Sequence, residues 1–580
     1  MTTEHPENGQ DLERLSANLA RIEVLCTRLV AALAQRDQPR ANLQAPSGDL
    51  FWKAANAWGA QMLADPSKMM QQQISFWSDT LRHATEGNVG EDRRFSDPLW
   101  QQNPYFQFVK AQYLAANDAM EKALNELQDV DGKDRTRIRF FSHQIMELFA
   151  PSNFLATNPQ AMARAVETDG QSLVDGLGNM VNDLEAHDGE LVVSLCDPDA
   201  FEVGENLGTS EGRVVFRNRM FELIQYAPRT GTVHKTPLVL FPPWINKFYI
   251  LDLKEQNSLV RWVTEQGFTL FIVSWVNPDA GFADVGVDTY VQEGFLTAIG
   301  EVKRVCGVKK VNVTGYCIGG TTLALTLAWM QKQGDTSVNS ATFFTTLTDF
   351  EDPGEVRVFL EEDFVGGIED EVREKGYLDS LHMARTFSYL RAADLVYAPA
   401  VKSYLMGQAP PAFDLLYWNG DGTNLPGRMA IEYLRGLCQR NEFASGGFAL
   451  LDENVTLKDM KTPFCAIACE TDHIAPWTSS YAGFRQMGAK DKTFILSESG
   501  HIAGIVNPPQ KLKYGHYTAE IWPDNPEKWL KSASFTEGTW WGRWGTWLAK
   551  RSGGQIPARG VKDVGLGAAP GTYVKSAAKK

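Results

Sequence analysis

The sequence predicts an α/β protein whose α/β part follows a mostly helical N-terminal region. Three observations support this prediction. The chain has 580 residues, which is too many for one compact core. From about residue 200, short apolar runs alternate with helical stretches, as in a parallel sheet covered on both faces. Within that part, one cysteine lies in a glycine-flanked turn between a buried strand and a helix.

The composition is that of a folded protein of a reducing compartment. Hydrophobic residues make up 43% of the chain and charged residues 22%. The net charge of −15 argues against nucleic acid or an anionic membrane as the main partner. The polar, acidic start predicts no signal peptide, and no apolar run reaches the roughly 18 residues of a membrane span.

The distribution of the cysteines also indicates a reducing compartment. All seven are scattered through the chain, so we expect a cytoplasmic location and no disulfide framework. Cys465 and Cys469 lack a second Cys/His pair at metal spacing, and we expect both in the core. No metal site and no cofactor are predicted.

Residues 1–50 are predicted to form one helix, Asp11–Ala34, followed by a linker at 35–49. An apolar stripe runs along this helix with alternating spacings of three and four residues. It indicates either docking onto a partner or packing on the helix's own domain, and the second interpretation is favoured. The stripe consists of Leu12, Leu15, Leu19, Ile22, Cys26, Leu29 and Leu33.

Residues 51–200 are predicted to form a mostly helical domain. Its aromatic-rich middle and the stretch Pro151–Pro159 are turn-rich and unlike a helix interior. No cluster of catalytic residue types occurs in this third of the chain, so we expect a supporting and partner-binding role.

Residues 201–580 are predicted to form the α/β domain. A long aromatic-rich insert at about 348–461 separates the sixth predicted strand from the seventh, where an α/β-hydrolase carries its cap or lid. The tail tryptophans around Trp540–Trp547 are expected in a packed C-terminal helix rather than on a polymer-contacting surface. The predicted strands are Val214–Phe216, Met220–Tyr226, Leu238–Phe241, Phe268–Trp275, Lys310–Thr314, Ala341–Leu347, Phe464–Ala468 and Thr493–Leu496.

The turn around Cys317 matches the nucleophile elbow of α/β-hydrolases, with cysteine in place of the usual serine. The turn is so tight that side chains at Gly315 and Gly319 would collide with neighbouring backbone. The cysteine would lie at the N-terminus of the helix through Thr321–Trp329, where the dipole favours a thiolate. The alternative is a buried cysteine in an ordinary strand–turn–helix.

An elbow nucleophile needs a base and an acid that orients the base, in the chain order nucleophile, Asp, His. Asp472 follows the seventh predicted strand and His501 follows the eighth. Both therefore lie at the sheet edge where open α/β sheets gather their sites. Glu470 and His473 are neighbouring rivals for these roles, and Asp472 and His501 are preferred.

A tetrahedral oxyanion needs two backbone donors. The first expected donor is the N–H of Ile318, which directly follows the cysteine. The second should come from the loop Phe241–Lys247 after the third strand. Because prolines lack N–H groups, the donor there is Trp244 or Ile245, with Ile245 as the first candidate.

A cysteine nucleophile also indicates the type of reaction. Serine would convert a thioester into an oxoester and lose much of its activation, whereas cysteine keeps the acyl group as a thioester. The acyl group then stays reactive enough to pass to an alcohol, provided a lid excludes water. The chemistry predicts a thioester donor and a hydroxyl acceptor.

With these residues in hand, the chain resembles the class I polyhydroxyalkanoate (poly-3-hydroxybutyrate) synthases. Tyr316 before the cysteine and the chain length are similar to class I. The matching stretches are Pro151–Pro159 (PSNFLATNP), Pro242–Leu253 (PPWINKFYILDL), Val273–Asp279 (VSWVNPD), Gly315–Gly320 (GYCIGG), Phe413–Gly427 (FDLLYWNGDGTNLPG), Asp472–Trp477 (DHIAPW), Ser499–Pro509 (SGHIAGIVNPP) and Pro570–Lys575 (PGTYVK).

This resemblance implies polymerisation of (R)-3-hydroxyacyl-CoA, of short chain length such as 3-hydroxybutyryl-CoA, with release of coenzyme A. Cys317 would hold the growing chain as a thioester and His501 would be the base. Asp472 would either orient His501 or activate the monomer's 3-hydroxyl. The resemblance further implies a homodimer with a mobile cap, located in the cytoplasm on the nascent polyester granule. Granule-coat proteins are candidate partners of the N-terminal helix.

Two other functions remain as alternatives. One is an α/β-hydrolase acyl-CoA thioesterase, which would release acid rather than polymer. The other is a non-catalytic granule-associated protein that uses the N-terminal stripe and the tail tryptophans. The intact Cys317, Asp472 and His501 argue against the second alternative.

Overall fold

The computed structural model describes residues 7–34, 78–79, 82, 92–127 and 132–576. These residues form two compact units. The first combines Met1–Asp197 with Ser388–Ala412, and the second combines Pro198–Phe387 with Phe413–Lys580. The predicted linker at 35–49 lies outside the described residues, as does most of 51–91.

The first unit is helical, as predicted. The turn-rich stretch at 151–159 contains two short 3₁₀ segments, Pro151–Asn153 and Leu155–Thr157. The side chain of Asn158 then caps the next helix by accepting from the N–H of Ala161 at 3.0 Å. The helices are Glu7–Ala34, Leu99–Gln102, Pro104–Glu126, Gly132–Leu148, Pro159–Glu167 and Gln171–Ala186, with the short segments Ala393–Tyr397, Ala398–Ala400 and Val401–Leu405.

The first helix packs on its own unit, as the favoured interpretation of its stripe predicts. Ile22, Leu25 and Leu29 pack against residues 174–181 of the helix Gln171–Ala186. The predicted stripe is wrong in part, because Leu19, Cys26 and Leu33 are exposed. One neighbouring helix covers only a narrow line of side chains. This buried line runs through Leu25 instead of the predicted Cys26, one position earlier in the sequence. The side chains of Leu12 and Leu15 lie outside the described residues.

The second unit is built on a ten-stranded sheet. Neighbours from β3 to β8 run parallel, and antiparallel strands flank them on both edges. The order across the sheet is β1-β2-β4-β3-β5-β6-β7-β8-β9-β10. The strands are β1 (Gly212–Arg217), β2 (Phe221–Tyr226), β3 (Leu238–Phe241), β4 (Leu270–Trp275), β5 (Val311–Tyr316), β6 (Val338–Phe344), β7 (Phe464–Cys469), β8 (Lys492–Ser497), β9 (His516–Thr518) and β10 (Ser534–Thr536).

All eight predicted strands are present, with small shifts at their ends. The central strands are buried on both faces, which explains their continuous apolar runs. In β3, Leu238 and Leu240 belong to one core, while Val239 and Phe241 belong to the core on the opposite face. Cys465 and Cys469 of β7 are fully buried, so their prediction as core residues is confirmed.

Helices and short hairpins complete the second unit. The short strand pairs are Thr232–His234 with Gln555–Pro557, Tyr377–Leu378 with Leu425–Pro426, and Phe448–Leu450 with Glu453–Val455. The helices are Leu259–Glu265, Val287–Thr289, Tyr290–Leu296, Thr297–Cys306, Ile318–Lys332, Glu362–Lys375, Ser380–Tyr389, Asp414–Gly420, Gly427–Ile431, Glu432–Gln439, Glu442–Ser445, Trp477–Gln486, Pro526–Ser532 and Trp541–Ala549.

The tail tryptophans form a packed helix, as predicted. Trp540, Trp541 and Trp544 are fully buried. The indole N–H groups of Trp540 and Trp541 donate to the carbonyls of Gly504 and Ile505 at 2.7 and 2.9 Å. A buried indole N–H needs a partner, so these bonds fix the helix Trp541–Ala549 against the chain that follows β8.

The segment Pro570–Lys575 is fastened to β2 through a buried carboxylate. Glu222 accepts from the backbone N–H groups of Thr572 and Tyr573 at 2.8 and 3.0 Å. The hydroxyl of Tyr573 donates to the carbonyl of Asn218 at 2.8 Å. Residues near the end of the chain therefore complete the edge of the sheet formed by β1 and β2.

Among the described residues, no helix combines the length and the apolar character that crossing a bilayer requires.

Candidate active site

Cys317 occupies a sharp turn between β5 and the helix Ile318–Lys332. Its backbone has φ 52° and ψ −124°, a region that residues with side chains rarely adopt. Its N–H donates to the carbonyl of Phe344 at the end of β6 at 2.8 Å. The turn holds the cysteine at the carboxyl edge of the sheet, as the elbow pattern predicts.

The two glycines of the elbow are needed for steric reasons. A Cβ on Gly315 would lie 2.5 Å from the Cα of Gly320, and a Cβ on Gly319 would lie 2.5 Å from the carbonyl oxygen of Pro242. Both neighbours are backbone atoms that cannot rotate away. The predicted collision at these positions is therefore confirmed.

We expect Gly319→Ala to destabilise the second unit by about 1–3 kcal/mol, because the added methyl group overpacks a fixed backbone. Gly300→Ala is the matched control, since a Cβ on Gly300 in the helix Thr297–Cys306 meets nothing within 4 Å. That variant should be neutral or slightly more stable, because alanine favours helix more than glycine does. The midpoint of thermal unfolding checks both variants. Equal midpoints would contradict the steric explanation.

The structure brings His501 and Asp472 together at the ends of β8 and β7. The Nδ1 of His501 lies 2.7 Å from Oδ2 of Asp472. The other carboxylate oxygen of Asp472 accepts from the N–H groups of Ile474 and Ala475 at 2.9 and 2.8 Å. The Asp472 side chain is fully buried, so the carboxylate is held in one orientation.

The environment of His501 favours its protonated form. Burial by itself lowers the pKa of His501, but the charges of Asp472 and Cys317 and hydrogen bonds to both side chains outweigh burial. The net result is a pKa well above the ordinary value for histidine. Tyr316 supports the ring as well, because it stacks on His501 and its hydroxyl donates to the His501 carbonyl at 3.2 Å. Cys317 and His501 are thus placed to exchange a proton.

The raised pKa of His501 predicts a pH-dependent stability. Protonated His501 stabilises the fold fully below about pH 6.5, and this contribution is lost as the pH rises through the higher folded-state pKa. We therefore expect the loss of stability caused by His501→Gln to shrink as the pH rises above about 6.5. Thermal unfolding of both proteins across this range checks the sign. A loss that grows with pH would contradict the raised pKa.

The rival residues Glu470 and His473 do not form this pair. The carboxylate on Nδ1 of His501 is that of Asp472. The pKa of Glu470 is raised, first by burial and then by the nearby charge of Glu498, so this side chain faces another carboxylate.

The loop predicted to supply the second oxyanion donor lies against the elbow. The carbonyl oxygens of Phe241 and Pro242 are the atoms that a Cβ on Gly319 would meet. The indole N–H of Trp244 donates to the hydroxyl of Thr322, in the first turns of the helix that begins at Ile318, at 3.1 Å. Ile245 and Ile318 belong to the same buried apolar cluster. The loop therefore has the location that the predicted role requires.

Tyr433 is a residue of the site that sequence reasoning missed. Its pKa is raised well above the ordinary value, first by burial and then by the charges of Cys438 and Cys317. Its ring meets that of Trp244 edge-on at 5.8 Å and that of Phe350 at 6.0 Å. Tyr433 lies in the helical segment Glu432–Gln439 of the predicted cap, and no local motif distinguishes it from the other aromatic residues there.

Across residues 7–34, 78–79, 82, 92–127 and 132–576, no three His, Cys, Asp or Glu side chains are grouped to hold a metal ion.

Together, the sheet order, the cysteine elbow and the His–Asp pair define the α/β-hydrolase fold class. A protein-family model of the alpha/beta hydrolase fold matches residues 237–508. A second model, described as the poly-beta-hydroxybutyrate polymerase (PhaC) N-terminus, matches residues 91–263.

Curated relatives define the family more closely. The poly(3-hydroxyalkanoate) polymerase of Methylorubrum extorquens is 39% identical, over 93% of this chain and 92% of its own. The PhaC subunit of the Rhizobium meliloti polymerase is 36% identical, over 98% and 95% of the two chains. The PhaC subunit from Cupriavidus necator is 41% identical, over 84% and 83%. The chain belongs to the poly(3-hydroxyalkanoate) polymerase family, which confirms the resemblance of the sequence.

Proposed function

We propose that this protein polymerises (R)-3-hydroxyacyl-CoA thioesters into polyhydroxyalkanoate and releases coenzyme A. Membership of the polymerase family supports the reaction. The observation that carries the mechanism is the arrangement of Cys317, His501 and Asp472 around one elbow. The proposed substrates are short-chain thioesters such as 3-hydroxybutyryl-CoA, and no cofactor takes part.

The first step loads the acyl group on Cys317. His501 takes the thiol proton, and the thiolate attacks the thioester carbonyl. The resulting oxyanion lies against the N–H groups of Ile318 and Ile245. When the intermediate collapses, the bond to the coenzyme A sulfur breaks, and the leaving thiolate takes the proton from His501. The acyl group is now a thioester of Cys317 and remains activated.

The second step forms the ester bond of the polymer. The 3-hydroxyl of a monomer gives its proton to His501 and attacks the acyl carbonyl held on Cys317. Collapse of this intermediate forms the oxoester and returns the proton to the Cys317 sulfur. Asp472 orients His501 and stabilises its charge in this scheme, because both Asp472 oxygens are already hydrogen-bonded and its side chain is buried.

Incubation of the purified protein with 3-hydroxybutyryl-CoA tests this proposal. Release of free thiol together with insoluble polyester is the expected result. Release of thiol with soluble 3-hydroxybutyric acid would instead indicate a thioesterase, and neither product would indicate a non-catalytic protein. A panel of acyl chain lengths, with mass analysis of the products, then defines the substrate range.

We also propose that the protein acts as a homodimer in the cytoplasm, at the surface of the polyester that it makes. These proposals follow from the family that the sequence resembles. The first helix, Glu7–Ala34, is the proposed contact for granule-coat proteins, since part of its apolar stripe is exposed. Sedimentation of the purified protein tests the dimer. Imaging of a fluorescent fusion in polymer-accumulating cells tests the location.

A further inference from the structure

The loop Trp244–Tyr249 is held along its length by one segment of the predicted cap, residues 418–423. The backbones of Asn246 and Gly422 form an antiparallel bridge. The indole N–H of Trp418 donates to the carbonyl of Lys247 at 2.7 Å. Because these contacts are backbone or buried contacts, the loop has little freedom to change its conformation.

A buried ion pair fastens the far end of this loop. The Nζ of Lys247 lies 2.5 Å from Oδ1 of Asp421, and the hydroxyl of Tyr249 donates to Oδ2 of Asp421 at 2.8 Å. The Lys247 side chain is only 5% exposed. A charge in this position needs its partner, so loss of the pair would release the loop from the segment.

Thr423 donates to two consecutive carbonyls of the loop. Its hydroxyl donates to the carbonyl of Trp244 at 2.9 Å, and its N–H donates to the carbonyl of Ile245 at 3.2 Å. Thr423 is 2% exposed, so water does not readily replace these hydrogen bonds. Loss of either bond would leave a buried polar group without a partner.

The hydrogen bond from the Thr423 hydroxyl fixes the orientation of the peptide unit between Trp244 and Ile245. Trp244 C=O and Ile245 N–H belong to one peptide unit, and this unit is trans, since among the described residues the cis peptide bond is Ala569–Pro570. In a trans peptide the C=O and the N–H point in opposite directions. Fixing the Trp244 carbonyl on Thr423 therefore turns the Ile245 N–H away from Thr423. Within the described residues, no protein group accepts from that N–H.

We propose that Thr423 is a positioning residue for the oxyanion hole: its hydroxyl fixes the Trp244–Ile245 peptide so that the Ile245 N–H is aimed at the acyl group on Cys317. This inference rests on the proposed function of Cys317 as the acyl carrier. Thr423 lies 106 positions after Cys317 in the chain. The inference adds its side chain to the residues that determine the rate.

The test separates acylation of Cys317 from its alkylation. Acylation by p-nitrophenyl butyrate or by 3-hydroxybutyryl-CoA passes through an oxyanion, whereas alkylation by iodoacetamide does not. Intact-protein mass measures both rates on Cys317. We expect Thr423→Val to lower the acylation rate by about 10²-fold, as loss of one oxyanion donor does, and to leave the alkylation rate within about twofold.

Two further variants complete the experiment. Thr423→Ser keeps the hydroxyl and should restore acylation to within about threefold of the wild type. Thr264→Val removes another buried hydroxyl that donates to backbone carbonyls, within the helix Leu259–Glu265, and should change neither rate. With steady-state turnover, Thr423→Val should lower kcat and leave KM nearly unchanged, because the contact acts in the transition state.

The other outcomes separate failure of this inference from failure of the proposed function. Wild-type acylation in Thr423→Val would show that the hydroxyl does not position the donor. An equal fall in acylation and alkylation would show that the variant disturbs the elbow itself. If p-nitrophenyl butyrate acylates wild-type Cys317 but 3-hydroxybutyryl-CoA does not, the proposed function fails while the role of Thr423 is still measured. Failure of both probes on the wild type overturns both proposals.

Discussion

Cys317→Ala should abolish both coenzyme A release and polymer formation, with a fall in rate of at least about 10³-fold. The reason is that no other group in the proposed scheme can carry the acyl chain. Alanine keeps the Cβ and the unusual backbone of the elbow, so the variant should fold. Thiol release from 3-hydroxybutyryl-CoA, with mass analysis of the insoluble product, measures the loss.

Cys26→Ser is the matched control for this prediction. Cys26 lies exposed on the first helix, and its replacement should leave turnover unchanged. Thermal unfolding of Cys317→Ala must match the wild type for the comparison to hold. Polymer formation by a folded Cys317→Ala protein would remove the acyl-enzyme from the mechanism.

The second large effect is expected for His501→Gln, which should lower turnover by at least about 10³-fold. Glutamine cannot take the proton from the Cys317 thiol, nor from the attacking hydroxyl. The pair with Asp472 at 2.7 Å is lost in the same variant. Turnover of 3-hydroxybutyryl-CoA at saturating substrate measures the effect, and alkylation of Cys317 by iodoacetamide should slow as well.

His473→Gln provides the comparison. This histidine follows Asp472 directly and was the rival candidate in the sequence. Its replacement should change turnover by no more than a few-fold, about the scale of a nearby substitution without a catalytic role. The opposite result, with His473→Gln inactive and His501→Gln active, would assign the base to His473.

Much of the fold follows from local patterns in the sequence. Most of the eight predicted strands are buried, and a strand covered on both faces is a continuous apolar run. The sequence carries no clear signal for β9 and β10, because each has only three residues, and the edge strand β10 is exposed. The membership of Ser388–Ala412 in the first unit has no local signature, because the whole insert is aromatic and helical in character.

Some residues of the candidate site could be predicted from the sequence, and others could not. Cys317, Asp472 and His501 each lie within four residues after the end of a buried strand, so the sequence alone predicts them on one sheet edge. Thr423 and Tyr433 come from the insert between β6 and β7, more than 100 residues from the elbow in sequence. Their contacts arise only from how the insert packs, and hydrophobic periodicity does not report that packing.

Residues late in the chain hold earlier residues in place, and this order affects folding during synthesis. Glu222 receives its backbone partners from Thr572 and Tyr573, and the turn after His501 is held by Trp540 and Trp541. Domains fold as units once their residues have emerged from the exit tunnel. In a nascent chain, hundreds of residues are therefore added after Cys317 before the turn that carries His501 is held in place. We therefore expect catalysis to begin only after residues 540–573 have been synthesised.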